Sequence, residues 1–249
     1  MTKLDIADKA SQFGIGLVGF TSAGGSGSEW ARTTVILAAQ LMLPIVETCP
    51  SIWGLEHEKT VKILLSKAVN RVCAMLNANG YKAERAVMNA DELADAASRA
   101  KLGSRGKNGR ILTKKYGPRV LMDSLLSAAE FSYDDREDEE LCLGCSNCLN
   151  ACPAAAGKYE DSTCAAYGET LAKDFKNPCG KCLRVCPVGE DRFLYDSFNF
   201  QKYFDEDNFP VRNPGAKIYG PWAHVRNYGS YPHAAISPEF EREKEGRLI

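Results

Sequence analysis

Eight cysteines between Cys142 and Cys186 constrain this chain more than any other feature. The first run reads Cys142-Leu143-Gly144-Cys145-Ser146-Asn147-Cys148-Leu149-Asn150-Ala151-Cys152-Pro153. Cys164 follows alone, and a second run reads Cys179-Gly180-Lys181-Cys182-Leu183-Arg184-Val185-Cys186-Pro187. In C-x2-C-x2-C-x3-C-P, three closely spaced thiolates wrap one [4Fe–4S] cubane, and the fourth reaches a neighbouring cluster. The crossing predicts two ligand sets. Cys142, Cys145, Cys148 and Cys186 hold the first cluster, and Cys152, Cys164, Cys179 and Cys182 hold the second. Cys164 is the ligand set apart from the compact spacing. A zinc ribbon uses two separated C-x2-C knuckles and lacks the C-P closure. A disulfide framework suits a small secreted chain, whereas this one opens without an apolar signal segment.

At 249 residues the chain can form one large or two small domains. A net charge of −1 argues against nucleic acid as an obligatory partner. No apolar run approaches about 18 residues, so no membrane span is expected. Ten cysteines without an export signal point to a reducing, anaerobic cytoplasm.

Apolar periodicity predicts a helix over residues 2–13, a short strand over 15–20 and a second strand over 32–37. Gly14-Ile15-Gly16-Leu17-Val18-Gly19 has the form G-x-G-x-x-G, but it follows a helix, whereas a dinucleotide fingerprint follows a strand. Residues 56–79 carry the clearest helical stripe, from Val61 to Leu76, and Gly80 stops it. Cys73 lies on that stripe and reads as core. Cys49, beside Pro50, reads as a packed small hydrophobe, and His57 as a surface residue. A strand over 81–87 precedes a capping box, Asn89 with Glu92, that opens a helix to Ala100. Residues 120–131 are apolar enough for a strand or short helix closing the first domain.

Residues 101–119 hold seven Lys and Arg and no acid. The glycines Gly103, Gly106 and Gly109 would let backbone N–H groups approach an anion or an amide-rich ligand. The spacing is not that of a P-loop, and the plain alternative is a solvated basic turn. The acidic run 134–140 reads as a linker. Beyond Pro187 the chain is rich in aromatics, among them Phe198, Tyr203, Trp222 and Tyr231, which predicts packing rather than disorder. His224 and His233 match no metal spacing.

A glycine-rich Leu102-Gly103-Ser104-Arg105-Gly106-Lys107-Asn108-Gly109, then Tyr116-Gly117-Pro118-Arg119, stands ahead of the cysteine module. That order resembles the epoxyqueuosine reductase and reductive dehalogenase superfamily. Its members carry G-L-G-x-x-G-K/R-N/H-G and P-E-Y-G-P-R before the same cysteine pattern. Gly80-Tyr81-Lys82-Ala83 after a long helix is similar too. The resemblance covers roughly residues 14–190. It implies an α/β (α+β) N-terminal domain over 1–133, a bacterial-ferredoxin-like module with two [4Fe–4S] clusters over 134–195, and an aromatic-rich C-terminal extension over 196–249.

In that family a corrinoid, cobalamin, sits against one cluster, and single electrons pass to cobalt. The residues that would hold it here are Gly103, Arg105, Gly106, Lys107, Asn108, Gly109, Tyr116 and Arg119. The catalytic residue is unassigned. The segment 85–91 lacks an Asp where the reductase's proton donor stands, and Asp91, slightly later, is the candidate. The implied function is an iron–sulfur oxidoreductase relaying electrons to a corrinoid. It would be fed by a ferredoxin- or flavodoxin-type donor and would act on a small-molecule substrate, as a homodimer. The alternative is a corrinoid-free electron-transfer protein serving a partner enzyme. A nucleic-acid binder with structural clusters would rest on the basic stretch alone.

Overall fold

The computed structural model describes residues 1–24, 28–47, 49–133, 140–142, 144–154, 161–175 and 177–191. The acidic run over 134–139 and the aromatic extension lie outside them. The chain opens with α1 (Lys3–Ser11), which starts at a reciprocal cap. Thr2 Oγ1 accepts from Asp5 N at 3.3 Å, and Asp5 Oδ2 accepts from Thr2 N at 2.6 Å. Two long strands follow, β1 (Ile15–Ser22) and β2 (Thr33–Gln40), then α2 (Leu43–Glu47) and the 27-residue α3 (Ile52–Ala78). Next come β3 (Ala83–Arg85), α4 (Ala90–Arg99), the hairpin β4 (Ser104–Arg105) and β5 (Ile111–Leu112), and β6 (Val120–Ser127). The cysteine region adds α5 (Asn147–Asn150), α6 (Asp161–Ala172) and α7 (Lys181–Val185).

Four strands form one antiparallel sheet in the order β1-β2-β6-β3. Strand β2 is buried on both faces, which explains its unbroken apolar run. Val35, Leu37 and Ala39 join Leu65, Val69, Val72 and Leu76 of α3 and Ile6 of α1 on one side. Ile36 joins Ala94 and Ala97 of α4 and its capping residue Ala100 on the other. The result is an α/β domain with an antiparallel sheet between two helical layers. Each Leu or Val buried this way contributes about 1.5–3 kcal/mol of transfer free energy.

Three expectations shift. Helix α3 begins at Ile52 rather than residue 56, because Ser51 Oγ caps Gly54 N at 3.2 Å. Its first turn carries exposed Ile52 and Trp53, so the buried stripe could not mark the start. The strand expected over 81–87 is only three residues long, and Val87 is fully exposed. Residues 120–127 are a strand, paired on both sides. Gly16 and Gly19 lie on β1. A Cβ on Gly16 would run into Tyr116 Oη, and one on Gly19 would run into Leu102, so both serve close packing.

His57 is partly buried rather than a surface residue, and its Nε2 accepts from Met42 N at 3.0 Å. Burial holds its pKa below the ordinary 6.5, against a smaller opposing pull from Glu58. A base depressed in the folded state contributes stability that is complete above pH 6.5 and lost as pH falls through the folded value. The stability difference between wild type and His57→Gln should therefore shrink on acidification below pH 6.5, measured by paired anaerobic urea unfolding. Among the described residues no helix is long and apolar enough to cross a membrane.

Candidate metal centre

The two cysteine runs adopt matching turns. Ser146, after Cys145, has φ 60° and leads into α5. Gly180, after Cys179, has φ 66° and leads into α7. Each left-handed residue turns the chain between two cysteines of a C-x2-C pair, and α5 packs against α7. Cys142, Cys145, Cys148 and Cys186 line one cavity of about 360 Å³ including space open to solvent, beside Gly106, Lys107, Asn108, Leu112 and Val188. Cys152, Cys164, Cys179 and Cys182 line a second, of about 920 Å³ including space open to solvent. Cys148 and Asn108 line both.

The thiols influence one another mostly within the same groups, and Cys148 also acts across the border on Cys182. Burial pushes Cys182 up to about 11, Arg110 pulls the other way, and Cys164, Cys179 and Cys148 push further. Burial likewise raises Cys186, where Cys145 and Cys142 add to the rise and Arg119 opposes it. Cys148 is raised by burial first, with smaller additions from Cys186 and Cys142. Cys49 and Cys73 are both buried. Cys73 belongs to the main core. Cys49 lies against Gly54 and Gly180, and burial, then Glu58 and Cys179, pushes it up to about 12. Both are packed, un-ionised thiols.

The basic stretch is a hairpin wedged between the cysteine cavities and a third cavity. Its tip closes through Gly106 N to Arg110 O at 2.8 Å and Gly109 N to Gly106 O at 3.0 Å. Lys107 Nζ donates to Gly144 O at 2.9 Å and Ser146 Oγ at 3.3 Å, holding the first cysteine loop. Ser104 Oγ accepts from Leu141 N at 3.0 Å, just ahead of that loop. Gly103, Ser104 and Arg105 face the other way. With Leu17, Lys101, Lys114, Lys115, Glu140 and Glu190 they line a cavity of about 1410 Å³ that opens to solvent. Asp91, in the first turn of α4, is largely exposed and pairs with Arg105 Nη2 at 2.6 Å. Tyr116 is buried against Gly16. The eight residues named from the glycine-rich pattern therefore do not share one surface.

Arg119 is fully buried. Its Nε and Nη2 each meet one carboxylate oxygen of Asp191 at 2.6 Å. Nη1 donates to Leu183 O at 3.1 Å and Cys186 O at 3.4 Å, and Nη2 to Val188 O at 2.7 Å. One guanidinium thus ties the start of β6 to the arm carrying Cys186. Gly117 (φ +53°) packs on the same arm, since a Cβ there would collide with Val188 O. Asp191 escaped sequence reasoning because it lies beyond Pro187 in a stretch without periodicity.

No protein-family model matches the chain. An epoxyqueuosine reductase of Listeria monocytogenes is 29% identical over 161 residues, covering 57% of this chain and 40% of the reductase. A tetrachloroethene reductive dehalogenase of Desulfitobacterium hafniense is 26% identical over 179 residues, covering 62% of this chain and 32% of that one. The matched stretch thus spans less than half of either relative. Among solved structures, the catabolic reductive dehalogenase NpRdhA superposes with a TM-score of 0.64 at 18% identity, covering 77% of this chain and 33% of its own. By sequence the chain is similar to epoxyqueuosine reductases and to a reductive dehalogenase, and it shares its antiparallel α/β fold with NpRdhA.

Proposed function

We propose that the chain is an iron–sulfur oxidoreductase unit that binds two [4Fe–4S] clusters and relays single electrons. The observation that carries this reading is the division of eight cysteines between two adjoining cavities, with Cys148 on the border of both. Cys142, Cys145, Cys148 and Cys186 would hold one cluster, and Cys152, Cys164, Cys179 and Cys182 the other. The donor chemistry fits, because soft thiolates at these spacings select iron–sulfur clusters. When bound, the clusters supply one-electron transfer at potentials the surroundings set. The protein's own part is to fix the loops through Lys107 and Arg119, to bury Cys186 and to cover part of Cys182. Anaerobic protein reduced with dithionite should give paramagnetic signals from two cubanes. One signal, or none in iron-loaded protein, would sink the relay.

A corrinoid electron acceptor is favoured by the third cavity. Lys101, Arg105, Lys114 and Lys115 around it suit a corrinoid's phosphate, and Glu140 and Glu190 suit its amides. Asp91 meets this cavity through Arg105 and is the proposed acid there. Its substrate would be a small molecule and its donor a ferredoxin- or flavodoxin-type protein. Cobalamin added to anaerobic protein should bind with a spectral change, and Arg105→Glu with Lys114→Glu should weaken binding at least roughly tenfold, as loss of a charged hydrogen bond of about 1.5–3 kcal/mol requires. If wild type shows no binding, the corrinoid-free relay stands in its place.

A further inference from the structure

Among the described residues, Asn108 Nδ2 is the one buried side-chain nitrogen or oxygen without a hydrogen-bond partner. Asn108 is 2% exposed, and a buried amide N–H left unpaired costs about 1–3 kcal/mol. The orientation of the amide is fixed from its other end. Oδ1 accepts from Arg110 N at 3.2 Å across the hairpin tip. A flipped amide would set two donors against each other there and leave the oxygen orphaned instead. Nδ2 therefore points away from the hairpin backbone, and Asn108 borders both cysteine cavities. In the first of them it stands with its neighbours Gly106 and Lys107. Lys107 is already engaged with Gly144 and Ser146, so of these three hairpin residues Asn108 carries the side-chain donor left to serve that cavity.

We propose that Asn108 donates an N–H···S hydrogen bond from Nδ2 to the cluster held by Cys142, Cys145, Cys148 and Cys186, and raises its reduction potential. The proposal rests on the two-cluster reading above. Reduction adds negative charge that spreads over the sulfurs. A hydrogen bond to sulfur stabilises the reduced state more than the oxidised one and moves the potential upward. Asn108 is then a positioning and tuning residue: it ligates no iron, and it sets how readily this cluster accepts an electron relative to its neighbour.

The test uses the anaerobic holoprotein as wild type, Asn108→Leu and Asn108→Asp. Leu keeps the bulk and removes the donor; Asp keeps the outline and replaces the donor with an acceptor. Iron analysis, a redox titration followed by electron paramagnetic resonance, and electron–nuclear double resonance in H2O and D2O are measured together. The expected result is full iron in all three proteins and a lower potential for one cluster in Leu, lower still in Asp. One exchangeable proton coupled to that cluster in wild type should be missing in Leu. Unchanged potentials in iron-replete Asn108→Leu would overturn the proposal, as would a complete wild-type set of exchangeable couplings in it. If both variants lose iron, wild type labelled with 15N in its asparagine side-chain amides decides: no amide nitrogen coupled to the cluster refutes the bond, and such a coupling supports it. Wild type without iron refutes the cluster reading itself, a failure distinct from that of Asn108 alone.

Discussion

Arg119→Ala is expected to destabilise the protein by about 3–5 kcal/mol, the usual cost of breaking a buried ion pair by removing one partner. The Asp191 carboxylate would be left in a site where the pair is 0% and 2% exposed. The carbonyls of Leu183, Cys186 and Val188 would lose their donors as well. Because those carbonyls belong to the Cys186 arm, iron retention should fall together with stability. Asp191→Asn should behave similarly, since it strands the guanidinium. Replacing both partners by Leu or Met should recover part of the unfolding free energy, because an apolar pair leaves no buried charge. Anaerobic urea unfolding with parallel iron analysis measures both effects. An Arg119→Ala protein within about 1 kcal/mol of wild type would place the guanidinium in solvent, contrary to the geometry.

Cys164→Ala should remove one cluster and leave the other. Cys164 lines only the larger cavity, beside Cys152, Cys179 and Cys182. Iron should fall from about eight to about four atoms per chain, two cubanes becoming one. The signal of the cluster on Cys142, Cys145, Cys148 and Cys186 should persist. Cys73→Ala is the control: Cys73 sits in the main core, so its loss costs packing and leaves iron unchanged. If both clusters survive Cys164→Ala, that residue is not a ligand.

The elements read correctly from sequence are those whose signal is local. The apolar stripe from Val61 to Leu76 marked α3, and the Asn89–Glu92 box marked the start of α4; both caps of that box are made, at 2.8 Å and 3.0 Å. The start of α3 was hidden because Ser51 caps a turn whose side chains are exposed. The sheet order could not be read, since pairing β6 between β2 and β3 joins segments far apart in the chain. The same limit applied at the candidate site. The basic composition of residues 101–119 suggested one ligand-facing loop. Arg119, however, turns inward because Asp191, 72 positions later, completes its ion pair. Asn108 and Gly103 end on opposite sides because a hairpin has two faces, which charge counting does not reveal.

Iron and acid-labile sulfide per chain, measured on protein purified without oxygen, test the two-cluster reading most directly. Two cubanes require about eight of each. Values near four, or stoichiometric zinc in place of iron, would contradict it.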